Sequence, residues 1–213
     1  MNEGVLLIGG GGHASVLLEI LIEQKVNVLG YVSPTVAANR TLFSNVHWFK
    51  FDDDILQFDN SKVKLINGIG SLPGNSVRAD LYRRYKKLGY NFATVISQKA
   101  DVSKYAHIEE GVQVMRGAIV QTGVRVGYKS IVNTGAIVDH DCDIGNNNHI
   151  APGVTLSGCV KSRDNVHFGT ASTVIQSVFL GENVVLGAGV SINKNVEANV
   201  ICFPAPITKK VRK

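Results

Sequence analysis

The chain has 213 residues and a formal net charge of +5 at pH 7, with 45% hydrophobic and only 7% aromatic residues. This length allows a core of ordinary size without a disulfide scaffold, and the mild charge without a basic, aromatic-interleaved stripe argues against nucleic-acid binding. The composition predicts an aliphatic core, and 22 glycines with only 5 prolines predict tight turns rather than disordered linkers.

The N-terminus predicts neither a signal peptide nor a membrane span. Residues 1–7 lack a basic region, and the apolar positions that follow are interrupted by glycines and by Glu19. The three cysteines, Cys142, Cys159 and Cys202, form no CxxC pair, and their odd number leaves one over in any pairing, which favours reduced thiols. We therefore predict a cytoplasmic protein.

The first hundred residues alternate predicted strands and helices. Residues 5–8 are apolar and end in four glycines, and residues 13–24 then repeat apolar residues at helical spacing. Further strands are predicted at residues 26–32, 63–66 and 92–96, and a second helix at residues 81–88. Residues 34–60 show less pattern, with one short helix expected within residues 49–58. This alternation predicts a Rossmann-like α/β domain whose ligands lie at the carboxyl ends of parallel strands.

The glycine turn carries the first functional signal. Gly9, Gly11 and Ala14 match the dinucleotide-binding pattern G-x-G-x-x-G/A between a strand and a helix. Such a turn lets the backbone approach a diphosphate, and the helix N-terminus offers free N–H groups to it. NAD is disfavoured, because Ser33-Pro34 stands where an acidic ribose ligand is expected. A nucleotide carrying another group remains open, as does a turn that binds nothing.

A six-residue repeat organises the second half of the chain. An apolar residue recurs at every sixth position from Val102 to Ile192, and Ser162 alone breaks the series. A second set of positions, four residues after each of these, carries mostly small or β-branched residues. Glycine directly follows the apolar residue of the repeat at positions 127, 145, 169, 181 and 187. Two inward positions per repeat are typical of a β-helix whose short strands meet at corners. Positions three repeats apart are then expected to stack, as in hexapeptide-repeat families.

This geometry predicts which polar side chains face inward. Cys142 lies in an inward register, so we expect it to pack rather than to act as a nucleophile. Asn148 is also inward and is expected to find hydrogen bonds in a coil corner or from a stacked neighbour. His149 and His167 hold equivalent positions three repeats apart and are expected to lie one above the other. Without a third ligand in the same phase, we expect no metal at this pair.

His140 projects outward from a predicted corner, between Asp139 and Asp141. A neutral imidazole can take a proton from an amine or hydroxyl as that group attacks a thioester, and an adjacent carboxylate can fix its tautomer. Read alone, a histidine between two aspartates also fits a solvated charge cluster. The fold assignment favours the catalytic interpretation.

Several segments together match one protein family. They are residues 5–13, residues 68–78, Asn133, residues 138–145, His149 and Pro204-Ala205. Through them the whole chain resembles the bacterial nucleotide-sugar acetyltransferases of the hexapeptide-repeat superfamily, in the group of sialic acid O-acetyltransferases and bacillosamine, perosamine and viosamine N-acetyltransferases. The resemblance implies a nucleotide-sugar-binding domain over residues 1–97 and a left-handed parallel β-helix that binds acetyl-CoA over residues 98–213. It also implies a homotrimer with active sites between neighbouring subunits.

The same resemblance implies roles for single residues. His140 resembles the general base and Asp141 its orienting acid, with Asp139 as the reserve candidate. The implied substrate contacts are Gly10, Gly12 and His13 for the diphosphate or sugar, Ser33 and Gly68 for the nucleoside, and Asn133 near the reacting amine. The implied acetyl-CoA contacts are His149, Gly158, Thr170 and Ala188. No metal is expected.

Two departures from the family pattern affect specificity. Several relatives carry an acidic pair where Ser33-Pro34 stands, so a preference for uridine is not assumed. Phe203 replaces the usual glycine before Pro204-Ala205, which leaves the adenine end of coenzyme A open. The tail over residues 208–213 carries four cations, which either screen the 3′-phosphate of coenzyme A or form a frayed terminus without a specific role.

The predicted activity is acetyl transfer from acetyl-CoA directly to the amine of a nucleotide-linked amino-deoxy sugar, such as a UDP-, dTDP- or GDP-linked 4-amino-4,6-dideoxy sugar. No covalent enzyme intermediate is expected, and a backbone N–H beside the thioester would stabilise the oxyanion. The nearest alternative is O-acetylation of a sialic acid by the same machinery. A non-catalytic trimer that binds sugar nucleotides and an NAD-dependent enzyme are the others.

Overall fold

A five-stranded parallel sheet forms the N-terminal part of the chain in the computed structural model, which describes residues 3–205. Its strands are β1 (Gly4–Ile8), β2 (Val28–Val32), β3 (Trp48–Phe49), β4 (Val63–Asn67) and β5 (Asn91–Phe92), in the order β3-β2-β1-β4-β5. The helices are α1 (Gly12–Glu23) and α2 (Val77–Lys87), with 3-10 helices at Thr41–Phe43 and Asp52–Gln57. The predicted Rossmann-like α/β class is confirmed.

Strand β1 is buried on both sides of this sheet. Leu7 packs in a cluster with Leu17 of α1, whereas Leu6 packs in another with Tyr85 of α2. Neighbouring residues of a strand point to opposite faces, which is why β1 is an unbroken apolar run. The glycine turn after β1 therefore opens at the carboxyl edge of a sheet that a helix covers on each face.

Three further parallel sheets form the faces of a prism from short strands that recur once per repeat. The first face contains β6 (Val95–Ile96), β9 (Gln113–Val114), β12 (Ile131–Val132), β15 (His149–Ile150), β18 (His167–Phe168), β21 (Val185–Leu186) and β23 (Ile201–Cys202). The second face contains β7 (Asp101–Val102), β10 (Ile119–Val120), β13 (Ile137–Val138), β16 (Thr155–Leu156), β19 (Thr173–Val174) and β22 (Ser191–Ile192). The third face contains β8 (His107–Ile108), β11 (Arg125–Val126), β14 (Asp143–Ile144), β17 (Lys161–Ser162) and β20 (Phe179–Leu180).

Consecutive strands contribute to the three faces in turn, so each coil supplies one strand to every face. Paired residues are separated by one full coil of three repeats, as Val138 and Leu156 are, and the inward residues form one aliphatic core. The predicted left-handed β-helix is confirmed. The last coil is shorter than the repeat predicts, because Val185 pairs with Ile201 and not with Phe203, the partner that a full coil would supply.

The one interruption of the repeat has a structural reason. Asn148, which is buried in the core, donates from Nδ2 to Ser162 Oγ at 2.7 Å and to the Arg163 carbonyl at 3.1 Å, and its Oδ1 accepts from the Val166 amide at 2.6 Å. A buried amide without such partners would destabilise the fold. The expectation that Asn148 finds hydrogen bonds inside the coil is confirmed, and Ser162 is one of its partners.

Two predicted elements have different bounds in the structure. The strand expected at residues 92–96 is two strands, because β5 pairs with β4 in the α/β sheet whereas β6 pairs with β9 on the first face. Helix α2 begins at Val77 rather than Leu81, since the Asn75 side chain accepts from the Val77 amide at 2.9 Å and starts the helix in a polar stretch. The domain division at residue 97 stays a prediction. Among the residues described, no helix has the length and apolar character needed to cross a bilayer.

Candidate active site

His140 and Asp141 form an exposed pair at the edge where the second face turns into the third. His140 Nδ1 lies 2.9 Å from Asp141 Oδ2. Asp139 contacts the backbone instead, since its Oδ1 accepts from the His140 amide at 2.8 Å. A carboxylate only accepts, so Nδ1 carries the proton and the lone pair of the neutral ring is on Nε2. The structure therefore places Asp141, and not Asp139, against the imidazole.

The electrostatics of this pair suit a proton acceptor. The hydrogen bond that His140 Nδ1 donates to Asp141, followed by the negative charge of Asp139, raises the pKa of His140 above its ordinary value. About half of each side chain is exposed, with 53% for His140 and 63% for Asp141. A base is most effective when its pKa lies near the working pH and its lone pair can be reached by another molecule. The upward shift of the pKa favours proton uptake by His140, and half of its side chain is open to solvent at this edge.

Two glycines leave room for the pair in the neighbouring coils. A Cβ atom at Gly158 would lie 2.5 Å from His140 Nε2, so any side chain there would displace the ring. A Cβ atom at Gly123, which has a φ of +72°, would clash with Asp141 Oδ1. Gly158 was predicted to contact the cofactor, and the structure places it against the imidazole. Gly123 was missed, although it holds the position equivalent to Asp141 in the preceding coil.

Asn133 and His149 are joined to the N-terminal domain on the other side of the coil. His149 Nε2 lies 3.1 Å from Asn133 Nδ2, and its Nδ1 lies 3.0 Å from the Ser71 carbonyl oxygen. Burial, followed by the nearby His167, lowers the pKa of His149 to about 3, so the ring is neutral at physiological pH. The predicted stacking is confirmed, since the rings of His149 and His167 are 5.0 Å apart between centroids.

His13 faces the β-helix from the first turn of α1. Its Nε2 lies 2.8 Å from Gln113 Oε1, and burial lowers its pKa to about 4. The guanidinium of Arg78 also reaches Gln113 Oε1, at 3.2 Å, and donates to the Asn67 carbonyl at 2.9 Å. Gln113 Nε2 donates to the same Asn67 carbonyl at 2.8 Å. These buried polar contacts fix the glycine turn and α2 relative to the first face.

The glycine turn borders a cleft of about 530 Å³ at the carboxyl edge of the sheet. Gly10 and Ser33, two of the predicted substrate contacts, line it together with residues 35–40. Gly12 lies beside this cleft at the start of α1. Gly68 serves close packing, because a Cβ atom there would lie 2.7 Å from the Ile8 carbonyl oxygen and 2.8 Å from Ala14 Cβ.

Arg40 lines the same cleft and was missed by the sequence analysis. Its Nη1 donates to Ser15 Oγ at 3.2 Å, and its Nη2 lies 3.9 Å from where a Cβ atom of Gly12 would stand. Within residues 3–205, Arg40 has no carboxylate partner within 4.0 Å. No side chain caps α1, whose first turn contains no acidic residue. A free cation beside free helix N–H groups suits an anionic ligand. The loop that contains Arg40 has no sequence periodicity from which its position beside α1 could be predicted.

The predicted catalytic and cofactor residues fall on two separate edges of the β-helix. His140 and Gly158 lie at the edge between the second and third faces, which we call the base edge. The edge between the first and second faces, which we call the acceptor edge, carries Asn133, Thr170 and Ala188. The second face lies between the two edges. It is crossed by about six extended residues, so the distance between the edges is on the order of 15–20 Å. One chain therefore does not bring His140 together with the residues of the acceptor edge.

The C-terminal features are only partly described. Phe203, which departs from the family pattern, is 78% exposed. The basic tail over residues 208–213 lies outside the described residues, so its predicted role near coenzyme A stays a prediction.

Comparison with known proteins identifies the family. No protein-family profile matches the chain. Perosamine N-acetyltransferase from Caulobacter crescentus, solved in complex with CoA and GDP-perosamine, is 31% identical with a TM-score of 0.82, over 93% of this chain and 92% of that one. Two other structures of that enzyme carry a histidine changed to asparagine or to alanine.

Two further structures have the same fold. The acetyltransferase domain of PglB from Neisseria gonorrhoeae, in complex with acetyl coenzyme A, is 25% identical with a TM-score of 0.84, over 94% of this chain and 96% of that one. WeeI from Acinetobacter baumannii is 20% identical with a TM-score of 0.78, over 92% and 94% of the two chains, and supports the fold alone. With 31% identity along nearly the full length of a solved relative, the chain belongs to the nucleotide-sugar acetyltransferases of the hexapeptide-repeat superfamily.

Proposed function

We propose that the protein transfers the acetyl group of acetyl-CoA to the amine of a nucleotide-linked amino-deoxy sugar. The observation that carries this proposal is the His140–Asp141 pair, exposed on an edge where Gly158 and Gly123 leave room for it. The Caulobacter relative, bound to CoA and GDP-perosamine, supports the two substrate classes. That enzyme has also been solved with one histidine changed to asparagine or to alanine, which is consistent with a functional histidine in the family.

His140 acts as the general base in this proposal. Its Nε2 lone pair takes a proton from the amine as the amine nitrogen attacks the thioester carbonyl, and Asp141 stabilises the imidazolium that forms. The new N–C bond forms, the C–S bond breaks, and the proton held by His140 passes to the departing sulfur. A backbone N–H near the thioester stabilises the oxyanion. No group of the enzyme becomes covalently acetylated.

The cleft beside the glycine turn would hold the nucleotide diphosphate. Arg40 and the free N–H groups at the start of α1 supply positive potential there. Gly10 approaches Ser33 closely, since a Cβ atom at Gly10 would lie 3.2 Å from Ser33 Oγ. A larger residue at position 10 would narrow this part of the cleft, where we place the nucleoside end of the substrate.

Changing Arg40 to glutamine is expected to raise the KM for the nucleotide sugar by about 10-fold to 100-fold, the usual effect of losing a hydrogen bond from a charged group. The KM for acetyl-CoA should stay the same, because the base and acceptor edges do not include Arg40. Steady-state kinetics with each substrate varied in turn would measure both. Arg83→Gln, which removes an exposed arginine on α2, is the matched control. Equal KM values for the nucleotide sugar in Arg40→Gln and wild type would exclude this role.

A homotrimer would complete the site. The base edge of one subunit and the acceptor edge of the next would border each cofactor groove, which brings His140 near Asn133, Thr170 and Ala188 of its neighbour. The separation of the two edges in one chain supports this arrangement. Closed cyclic assembly makes all three grooves equivalent.

A substrate panel tests the proposed reaction. The purified protein is mixed with acetyl-CoA and with each of a series of nucleotide-linked 4-amino-4,6-dideoxy sugars. At least one of these amino sugars should cause release of the thiol of coenzyme A. Sialic acids, tested as matched acceptors, should cause no thiol release. Release with sialic acids alone would overturn the proposal in favour of O-acetylation. Tight nucleotide binding without release from any acceptor would favour a non-catalytic trimer.

We also propose that the protein works in the cytoplasm and that residues 1–97 and 98–213 form its two domains. Its three cysteines are free thiols, which agrees with a reducing compartment. Cell fractionation would test the location, and expression of residues 98–213 alone would test the division.

A further inference from the structure

Cys159 lies beside the proposed general base and has no role in the reaction described above. It holds the position equivalent to Asp141 in the next coil, and its amide donates to the His140 carbonyl at 2.9 Å. The thiol is half-buried and unpaired. The ligand atoms of His140, Asp141 and Cys159 all lie within 4.8 Å of one another.

These three side chains form a ligand set typical of zinc. An imidazole nitrogen, a carboxylate oxygen and a thiolate sulfur bind Zn²⁺ at about 2.0–2.3 Å, so ligand atoms of a tetrahedral site lie about 3–4 Å apart. The three ligand atoms, all within 4.8 Å of one another, therefore lie close to the spacing that such a site needs. The carboxylate and the thiolate together would balance the two charges of the ion. A fourth position would stay open to water.

The backbone holds the three residues in place without the metal. The ladder that joins successive coils connects Cys159 to His140, and the Asp141 amide donates to the Thr122 carbonyl at 3.1 Å in the coil before. Gly123 and Gly158 keep the surrounding space free. By contrast, both ring nitrogens of His149 already have protein partners, so the stacked His149–His167 pair offers less to a metal.

We propose that His140, Asp141 and Cys159 bind Zn²⁺ and that this binding switches the transferase off. Binding is reversible and involves no redox change: the Cys159 thiol releases one proton to solvent as the Zn–S bond forms. If the ion binds Nε2, it occupies the lone pair of the base directly. If the ion binds Nδ1, the ring proton moves to Nε2, and the protonated Nε2 can no longer accept a proton from the amine. The inhibition rests on the proposed function, whereas the binding does not.

Cobalt titration tests the binding without any assay of activity. Co²⁺ added to the metal-free full-length protein should produce the charge-transfer absorption of a thiolate–cobalt bond, saturating at one ion per chain. Cys159→Ser should abolish this band, and Cys202→Ser should retain it. Absence of the band in wild type, or its persistence in Cys159→Ser, would overturn the proposed site. His140→Ala and Asp141→Asn, each expected to weaken cobalt binding, distinguish the three-residue site from a single reactive thiol.

Zinc inhibition tests the functional consequence. Cys159→Ser should keep wild-type turnover in the absence of metal and require at least about 10-fold more Zn²⁺ for half inhibition, because even the loss of a group that only supports a ligand costs that much affinity. A chelator should restore activity fully. Equal zinc sensitivity in Cys159→Ser and wild type would overturn the inhibitory role. A wild-type protein that acetylates no nucleotide sugar would instead contradict the proposed function, and the cobalt titration would still decide the site.

Discussion

Replacing His140 with alanine is expected to lower turnover by about 10²-fold to 10⁴-fold, the usual contribution of a general base. Binding of the nucleotide sugar should stay nearly unchanged, because the proposed nucleotide cleft lies in the α/β domain and not at the base edge. His140 is exposed, so its loss should leave the core and the folded state intact. Single-turnover kinetics and calorimetric titration with the nucleotide sugar would measure the two effects. Near-normal turnover in His140→Ala would exclude this residue as the base.

The pH dependence of the reaction gives a second readout of the same residue. Only the neutral imidazole accepts a proton, so kcat/KM should fall as the pH drops through the raised pKa of His140. Asp141→Asn removes the first cause of that raised pKa, and the acid limb of the profile should move to lower pH. Asp143→Asn, an exposed aspartate on the neighbouring strand, is the control and should leave the limb in place. An unshifted limb in Asp141→Asn would contradict the orienting role.

Mixing two inactive variants is expected to restore activity. His140→Ala damages the base edge, and Ala188→Arg places a bulky side chain on the acceptor edge, where position 188 is exposed. If each groove lies between two subunits, a mixed trimer contains grooves in which both contributing edges are intact. Random assembly from equal amounts of the two chains makes roughly a quarter of the grooves complete, so about a quarter of wild-type activity should return.

The outcome distinguishes shared sites from sites within one chain. Each variant alone should form trimers with almost no activity, which size-exclusion chromatography and the kinetic assay would establish. If one chain contained the complete site, every chain in the mixture would still carry a lesion and no activity would return. Co-expression with two different affinity tags isolates the mixed trimers. A doubly mutated chain mixed with either single variant is the negative control.

Much of the fold could be predicted because the repeat is local. A residue that recurs at every sixth position has a fixed direction, so the inward positions, the stacking of His149 over His167 and the burial of Asn148 all follow from spacing. The strand, glycine turn and helix at the start of the chain are likewise predicted from residues that are close together in the sequence. Bounds were less accurate where the chain changes partners, as at residues 92–96. There, two short strands with similar propensity join different sheets, and only pairing separates them.

The candidate site could be predicted less completely. His140 and Asp141 are adjacent in sequence, so their pairing is accessible to sequence reasoning, but the choice between Asp139 and Asp141 depends on corner geometry. Arg40 sits in a loop without periodicity, and its closeness to the start of α1 is a long-range contact. No motif surrounds Cys159 along the chain, and it becomes a neighbour of His140 only because successive coils stack.

Short spacings along the chain are enough to predict the glycine turn, the β-helix and the candidate base, because backbone geometry fixes the direction of each side chain from its position in the repeat. How these parts lie relative to one another depends on long-range packing. Packing of the α/β domain on the first face engages His13 and His149 in part-buried hydrogen bonds, and the three-sided coil separates the base edge from the acceptor edge. These arrangements arise from contacts between residues far apart in the chain, and a local sequence pattern does not predict the free energy of such contacts.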